Sequence, residues 1–465
     1  MSIESGSQSV NLEQLAAPEP DGERYGAIWS AHTERLGNGE LSVAGVPLSR
    51  LAAECGTPTF VLDSADARSR ARTWKHAMDE ACAPLAGADV YYAGKAFLSK
   101  QFARWMVAEG LHIDTASEGE LRTVLAAGIP GSACGLHGNN KSRAEIELAL
   151  ETGVAHIVID SLDELDFVEK IAAERGVQAP VYLRLTTGVH AGGHEFIATA
   201  HEDQKFGLSI STGVAREAMK RAAAAPHLNL IGLHSHIGSQ IASVDGFAAA
   251  AAIVLAERAW AGEQGIALPE IDLGGGYGVR YTSADPVPPT PHMFAQELAA
   301  AVAEHVRRSG LPAPRVSIEP GRSIVAPAML MLYSVGTVKD VAIDSGKRTY
   351  VSVDGGMSDN IRPALYEADY TAALANRVST AELRRARVVG KHCESGDIVV
   401  RNVALPADIH RGDLLAVPAV GAYGYAMASN YNMLTKPAVV AVDDGRITQM
   451  LRRQSVDDLL AYDLG

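Results

Sequence analysis

The sequence predicts an α/β fold followed by a β fold: a closed (β/α)8 barrel of the TIM type, then a second, mostly β C-terminal domain that also takes in an N-terminal strand. Three observations carry this. Between residues 88 and 319, short β-branched or apolar runs alternate with longer helical patterns. The runs number eight, in a stretch close to the roughly 250 residues of one barrel. From about Leu330 onward helical periodicity thins out and strand patterns take over. A doubly wound open sheet is the alternative for the same alternation.

In chain order, residues 1–22 have no apolar period and read as a mobile tail. Residues 23–57 include Gly39 to Leu51, whose Leu41, Val43, Val46 and Leu48 suggest an early strand that pairs into the β domain. A helix from Ala65 to Cys82 leads into the barrel, which is assigned to residues 58–328. Its strands are expected at Val90 to Ala93, Leu111 to Asp114, Ala133 to Leu136, His156 to Ile159, Val181 to Leu185, Leu230 to Leu233, Ile271 to Leu273 and Val316 to Ile318. Helices are expected at Ser117 to Ala127, Ser142 to Thr152, Ser161 to Glu174, Ser211 to Ala224 and Pro291 to Arg308. Several open on a serine suited to N-capping, with an acidic residue in the first turn. Residues 329–465 form the β domain, with strands at Thr349 to Val353, Asp397 to Val403, Leu414 to Val417 and Ala438 to Val442 between Gly, Asp and Asn turns.

Bulk properties narrow the function classes. A chain of 465 residues, 47% hydrophobic and 21% charged, can bury a substantial core, and two domains suit its length. A net charge of -14 with no basic stripe argues against nucleic-acid binding, so any carboxylate or phosphate must be captured by local groups. Cys55, Cys82, Cys134 and Cys393 have neither metal nor redox spacing; no metal site and no structural disulfide are expected, and a reducing compartment fits. The N-terminus has no basic cluster and no apolar core, and no run is long enough to span a bilayer, so cytoplasmic residence is the default.

Active sites of such barrels form at the C-terminal strand ends, where the chemically interesting residues fall. Lys95 follows the first strand, Asp114 ends the second, and His137, Asn139 and Asn140 follow the third. The sixth strand runs into Gly232-Leu233-His234-Ser235-His236-Ile237-Gly238-Ser239-Gln240, the seventh into Asp272-Leu273-Gly274-Gly275-Gly276-Tyr277-Gly278, and the eighth into Glu319-Pro320-Gly321-Arg322. A lysine where apolar strand gives way to loop is partly desolvated, which favours the neutral amine needed for a Schiff base. An acidic residue on another strand end would keep a pyridine nitrogen protonated, and the pair suggests pyridoxal phosphate (PLP). The glycine run with Ser239 suits a phosphate cradle or, alternatively, a tight turn. His236 suits stacking on the ring or a structural role, and Glu319 suits the pyridinium or an ion pair with Arg322. In the β domain, Arg362 and Tyr366 offer a carboxylate clamp and a phenol, or a surface charge. Cys393 with Glu394 offers a thiol beside an ammonium binder, or a small hydrophobe. Gly421-Ala422-Tyr423, Met427 and Ser429-Asn430-Tyr431-Asn432 mix glycine and polar aromatics too densely for a plain strand.

Taken in order over about residues 40–460, these motifs, with His194 to Ala200 leading to Lys205-Phe206-Gly207, resemble the fold-type III PLP-dependent decarboxylases, specifically the diaminopimelate decarboxylases. The resemblance implies that Lys95, Cys393 and Glu319 are catalytic: Lys95 forms the Schiff base, Glu319 meets the pyridinium, and Cys393 donates a proton. It implies a cofactor set of Lys95, Asp114, His236, Ser239, Gly274, Gly275, Gly276, Glu319, Gly321, Arg322 and Tyr423. The implied substrate set is Arg322, Arg362, Tyr366, Glu394 and Tyr423. meso-Diaminopimelate carries an amino-acid head at each end, so its distal end needs both a carboxylate clamp and an acidic group, which Arg362 and Glu394 would supply. The resemblance further implies a homodimer whose β domain lends Cys393 and Glu394 to the neighbouring barrel. Phe97 and Lys391-His392 depart from the common pattern of the family. An ornithine or arginine decarboxylase, an amino-acid racemase, and a non-catalytic PLP-binding relative are the alternatives on this scaffold.

Overall fold

The computed structural model describes residues 12–20, 22, 26–189, 205–343 and 346–465. Residues 1–11 of the expected tail and the His194 to Ala200 motif lie outside the described residues. The chain divides into two compact units: Arg68–Gly278 with Pro288–Ile324, and Met1–Ala67 with Val279–Val287 and Val325–Gly465.

The first unit is a closed parallel barrel. Its strands are Ala88–Ala93, His112–Thr115, Cys134–Leu136, His156–Ile159, Ala179–Thr186, Leu228–Ser235, Glu270–Asp272 and Arg315–Ile318. They pair in that order, and the eighth closes on the first with Val316 opposite Ala88. Each strand matches an expected run to within about three residues, because β-branched and apolar positions buried on both faces leave an unbroken hydrophobic signal. The serine caps also match: Ser117, Ser142 and Ser161 accept from the N–H of Glu120, Glu145 and Glu164, and Ser142 closes a capping box. The helix expected from Ser211 instead spans Val214–Ala224, because Gly213 at φ +82° takes the cap position without a side-chain bond.

Polar bulk fills the barrel interior. The His156 ring stacks on Tyr182 at 4.2 Å and meets Tyr91 at 5.1 Å. Two glycines make room for these rings: a Cβ at Gly232 would stand 2.6 Å from the Tyr182 ring, and one at Gly135 would stand 2.6 Å from His156 Nε2. Outside the strands, Tyr277 is locked by Trp74 at 4.4 Å, Phe247 at 4.7 Å and Phe294 at 4.9 Å. That aromatic cluster anchors the end of the glycine run before it.

In the second unit, the strand Met329–Ile343 pairs with Gly346–Val353, Leu414–Val417 and Thr59–Asp63. Thr59–Asp63 lies between that long strand and Ala438–Asp443, antiparallel to the first and parallel to the second. It is the N-terminal strand that the β fold takes in. The segment Gly39 to Leu51 behaves differently from its expectation. Thr33–Arg35, Leu41–Val43 and Val46–Pro47 form their own three-stranded sheet, and Leu48–Cys55 is a helix. Their apolar side chains still pack into the β core, with Leu41, Val43, Leu48 and Leu51 clustered against Val61, Leu330, Leu332 and Val440. The segment therefore joins the β core through its side chains and not by strand pairing. Residues 12–20 are also tied down, since Trp29 Nε1 donates to Pro18 O at 2.7 Å. Among the described residues no helix is long and apolar enough to cross a membrane.

Candidate active site

The C-terminal strand ends of the barrel enclose a cavity of about 240 Å³ lined by Lys95, Asp114, Glu120, His137, Asn139, Arg184, Phe206, His234, His236 and Glu319, among others. Lys95 sits on a single helical turn, Gly94–Ala96, at the end of the first strand. It stands exposed toward the cavity rather than desolvated, while its neighbours Ala96 and Phe97 are fully buried. The Phe97 carbonyl accepts from the Tyr92 hydroxyl at 2.8 Å.

The Glu319 turn packs directly onto the lysine turn. A Cβ at Gly321 would stand 2.9 Å from Ala93 Cβ and 3.2 Å from Ala96 Cβ, so only glycine allows this approach. Glu319 itself is buried, and its backbone N–H donates to Gly274 O at 2.9 Å, which fastens the acidic turn to the glycine run. Gly275 N–H donates to His236 Nδ1 at 3.2 Å, so the glycine run also orients the candidate stacking imidazole. A Cβ on Gly275 would stand 2.4 Å from Glu319 O. Gly275→Ala should therefore push the Glu319 backbone away and destabilise the barrel by about 1–3 kcal/mol. Thermal melting against the wild-type chain checks this, and an unchanged Tm would remove the steric argument.

Electrostatics separate groups that look alike in sequence. Burial alone would raise the Glu319 carboxyl, but His137 and His234 beside it hold it well below the usual carboxylate range. Asp114 is pushed up to about 6 by burial and by the Glu319 charge, and Asp272 is driven well above its ordinary value by the same two causes. Of three buried carboxyls, Glu319 is the one held below the ordinary carboxylate range, while Asp114 and Asp272 are both pushed above it. Burial pushes His236 down to about 3, with Lys95 adding to the effect, so its imidazole is neutral. The loop carrying His137 is pinned by buried Lys141, whose Nζ donates to Gly138 O at 2.6 Å and meets Glu164 Oε2 at 3.1 Å.

Of the expected cofactor residues, the cavity brings together Lys95, Asp114, His236 and Glu319. Ser239 meets Arg322, whose Nη2 donates to Ser239 Oγ at 2.7 Å. Gly274, Gly275 and Gly276 lie against the strand end that carries His236; a Cβ at Gly274 would stand 2.4 Å from Ser235 O and one at Gly276 2.4 Å from Gly238 O. Arg184 and His137 are part of the lining but were not assigned roles from the sequence. Arg184 is legible only by its register on the fifth strand.

The second unit holds the remaining candidates. Arg362 is buried, with its guanidinium 4.7 Å above the Tyr281 ring and 5.6 Å from the Tyr370 ring, and Nη1 donates to the Tyr370 hydroxyl. Arg362 is thus a fixed cation and not a loose surface charge. Tyr281 gave no sequence signal, because its contact with Arg362 depends on Val279–Val287 belonging to this unit. Tyr366 is 62% exposed, and Glu394 and Cys393 are exposed as well, which rules out the buried-hydrophobe alternative for the thiol. Cys393 N–H donates to Asn432 Oδ1 at 3.0 Å, and Glu394 Oε1 accepts from Gly396 N at 3.2 Å. Tyr423 holds φ +64°, a left-handed conformation rare for a bulky residue and a mark of a constrained site.

Comparison with known proteins agrees with this geometry. Residues 64–326 match the family of pyridoxal-dependent decarboxylases through its pyridoxal binding domain. The chain is 50% identical over 443 residues to a diaminopimelate decarboxylase of Mycobacterium tuberculosis, covering 94% of this chain and 98% of that one. A crystal structure of diaminopimelate decarboxylase from M. jannaschii with L-lysine aligns at TM-score 0.88 and 29% identity, covering 95% of this chain and 99% of that one. A lysine/ornithine decarboxylase of Vibrio vulnificus with putrescine aligns at TM-score 0.71 and 25% identity, over 85% of this chain and 97% of that one. With half of its residues shared along nearly its full length, this chain belongs to the diaminopimelate decarboxylases, a branch of the pyridoxal-dependent decarboxylase family.

Proposed function

We propose that the chain decarboxylates meso-2,6-diaminopimelate to L-lysine and CO2 with PLP, the last step of lysine synthesis. The observation that carries the reading is that one cavity presents both an accessible amine, Lys95, and a buried ionised carboxylate, Glu319. The residues present fit the cofactor. Lys95 would hold it covalently, Glu319 would meet the pyridine nitrogen, and neutral His236 would lie against the ring without competing charge. Ser239, the glycine backbone and Arg322 would face the phosphate, with Asp114, Gly321 and Tyr423 completing the contacts. When bound, PLP supplies an electron sink for the pair released with CO2.

The protein's own groups do the rest. The low pKa of Glu319 keeps a negative charge at the ring nitrogen across the neutral range. Cys393 Sγ would deliver a proton to the substrate carbon that lost CO2, and the Lys95 amine would hold the cofactor again once the product has left. Arg362, held by Tyr281 and Tyr370, clasps the distal carboxylate, while Glu394 takes the distal ammonium and Tyr366 borders them. A distal carboxylate is what separates this substrate from ornithine, so the fixed arginine favours diaminopimelate over the diamine-forming reaction. Arg362→Ala should lower kcat/KM for meso-diaminopimelate about 10- to 100-fold, the loss of a charge-assisted bond, mostly through KM. Steady-state assays check it; an unchanged KM would take Arg362 out of substrate binding.

We also propose that the enzyme is a cytoplasmic homodimer in which Cys393 and Glu394 serve the barrel of the partner. Support comes from the exposure of both residues and from four cysteines that are all free. Incubation with PLP and meso-diaminopimelate, reading lysine and CO2 together, tests the activity; CO2 from ornithine but not from diaminopimelate would overturn it.

A further inference from the structure

Beside Glu319 the mechanism leaves two imidazoles unused. His234 Nε2 lies 2.8 Å from Glu319 Oε1, and His137 Nε2 lies 3.6 Å from the same oxygen and 3.1 Å from Asp114 Oδ1. The two rings meet edge to face at 5.2 Å. We propose that His234 is a positioning residue that donates its Nε2 proton to Glu319 Oε1, fixing that carboxylate and leaving Oε2 for the pyridine nitrogen. This rests on the proposed role of Glu319 at the ring.

The tautomer follows from the surroundings. Burial pushes His234 down to about 4, so at neutral pH its ring carries a single N–H proton. His234 Nδ1 is buried with no hydrogen-bond partner among the described residues. A proton on Nδ1 would strand a buried donor and aim a lone pair at a carboxylate, whereas a proton on Nε2 leaves only an unfilled acceptor. His137 differs: burial lowers it, but Asp114 and Glu319 together raise it above the ordinary value. His234 therefore meets Glu319 by a neutral hydrogen bond, while His137 stands beside two carboxylates that favour its charged form. The remaining groups facing this point are Asp272 from the seventh strand, which burial and the Glu319 charge push well above its ordinary value, His156 from the fourth strand, which burial pushes well down, and Lys95, Arg184 and His236 around the cavity. His234 and His236 are two residues apart at one strand end, which places both on the barrel side.

The experiment measures the affinity of PLP for the apoprotein as a function of pH, alongside turnover, in wild-type, His234→Leu and His234→Gln chains. Leu removes the donor; Gln returns an amide N–H near the place of Nε2. Without its donor Glu319 protonates more readily, so the acid limb of PLP affinity should move up by about one pH unit, a tenfold loss at fixed acid pH. In His234→Gln it should return to within a few tenths of a unit of wild type. kcat should fall about 10- to 100-fold in His234→Leu with KM little changed, as for partners that orient a ligand group. A wild-type acid limb in His234→Leu, or Gln behaving like Leu, overturns the inference. A wild-type chain that takes up no PLP overturns the proposed function itself and this inference with it.

Discussion

Lys95→Ala should leave a folded chain whose decarboxylation is reduced on the order of 10⁴-fold or more. Borohydride reduction should fix PLP to the wild-type protein at the Lys95 peptide and to no peptide of the variant. The reasoning is geometric. Lys95 is exposed to the cavity on a one-turn helix whose flanking Ala96 and Phe97 are fully buried, so the amine is accessible while its base is packed. Removing it deletes no buried contact, and stability should change by less than about 0.5 kcal/mol, the range of exposed sites. Activity and Tm therefore separate cleanly. Undiminished trapping at another lysine would refute the assignment, whereas loss of trapping together with a collapsed Tm would point to misfolding.

What the sequence revealed and what it hid divide along one physical line. The barrel strands were legible because most of their residues are buried and several of the helices between them open on a serine cap, a purely local signal. Lys95, Asp114, His236 and Glu319 were legible because the closed barrel brings all strand ends to one level, so a residue's place in its own strand suffices to predict its neighbours. Contacts set by pairing between distant segments were not legible. Thr59–Asp63, uniformly buried, carries nothing in its five residues that says it will pair with Ala438–Asp443 and not with a barrel strand. Tyr281 was missed for the same reason, since it becomes the support of Arg362 only once Val279–Val287 folds with this unit. His234 is the instructive intermediate. Two histidines spaced i, i+2 at a strand end share a face, and that period alone would have nominated the second imidazole.

Cys393→Ala should slow turnover about 10²- to 10⁴-fold while PLP remains bound at Lys95, as expected for loss of one positioned proton donor. The thiol is exposed, and its backbone is fixed by Asn432, itself at φ +52°, so the loop offers Sγ without burying it. If Cys393 serves the partner's barrel, the Lys95→Ala and Cys393→Ala chains are each inactive for complementary reasons. Equal mixing with subunit exchange makes half of the dimers mixed, and each mixed dimer rebuilds one complete site of its two. Activity should then recover to about one quarter of wild type, without any new chemistry. Light scattering and the assay together read the result. A mixed preparation no more active than its parents would mean that each chain completes its own site, and turnover unchanged in Cys393→Ala alone would remove the thiol from the reaction.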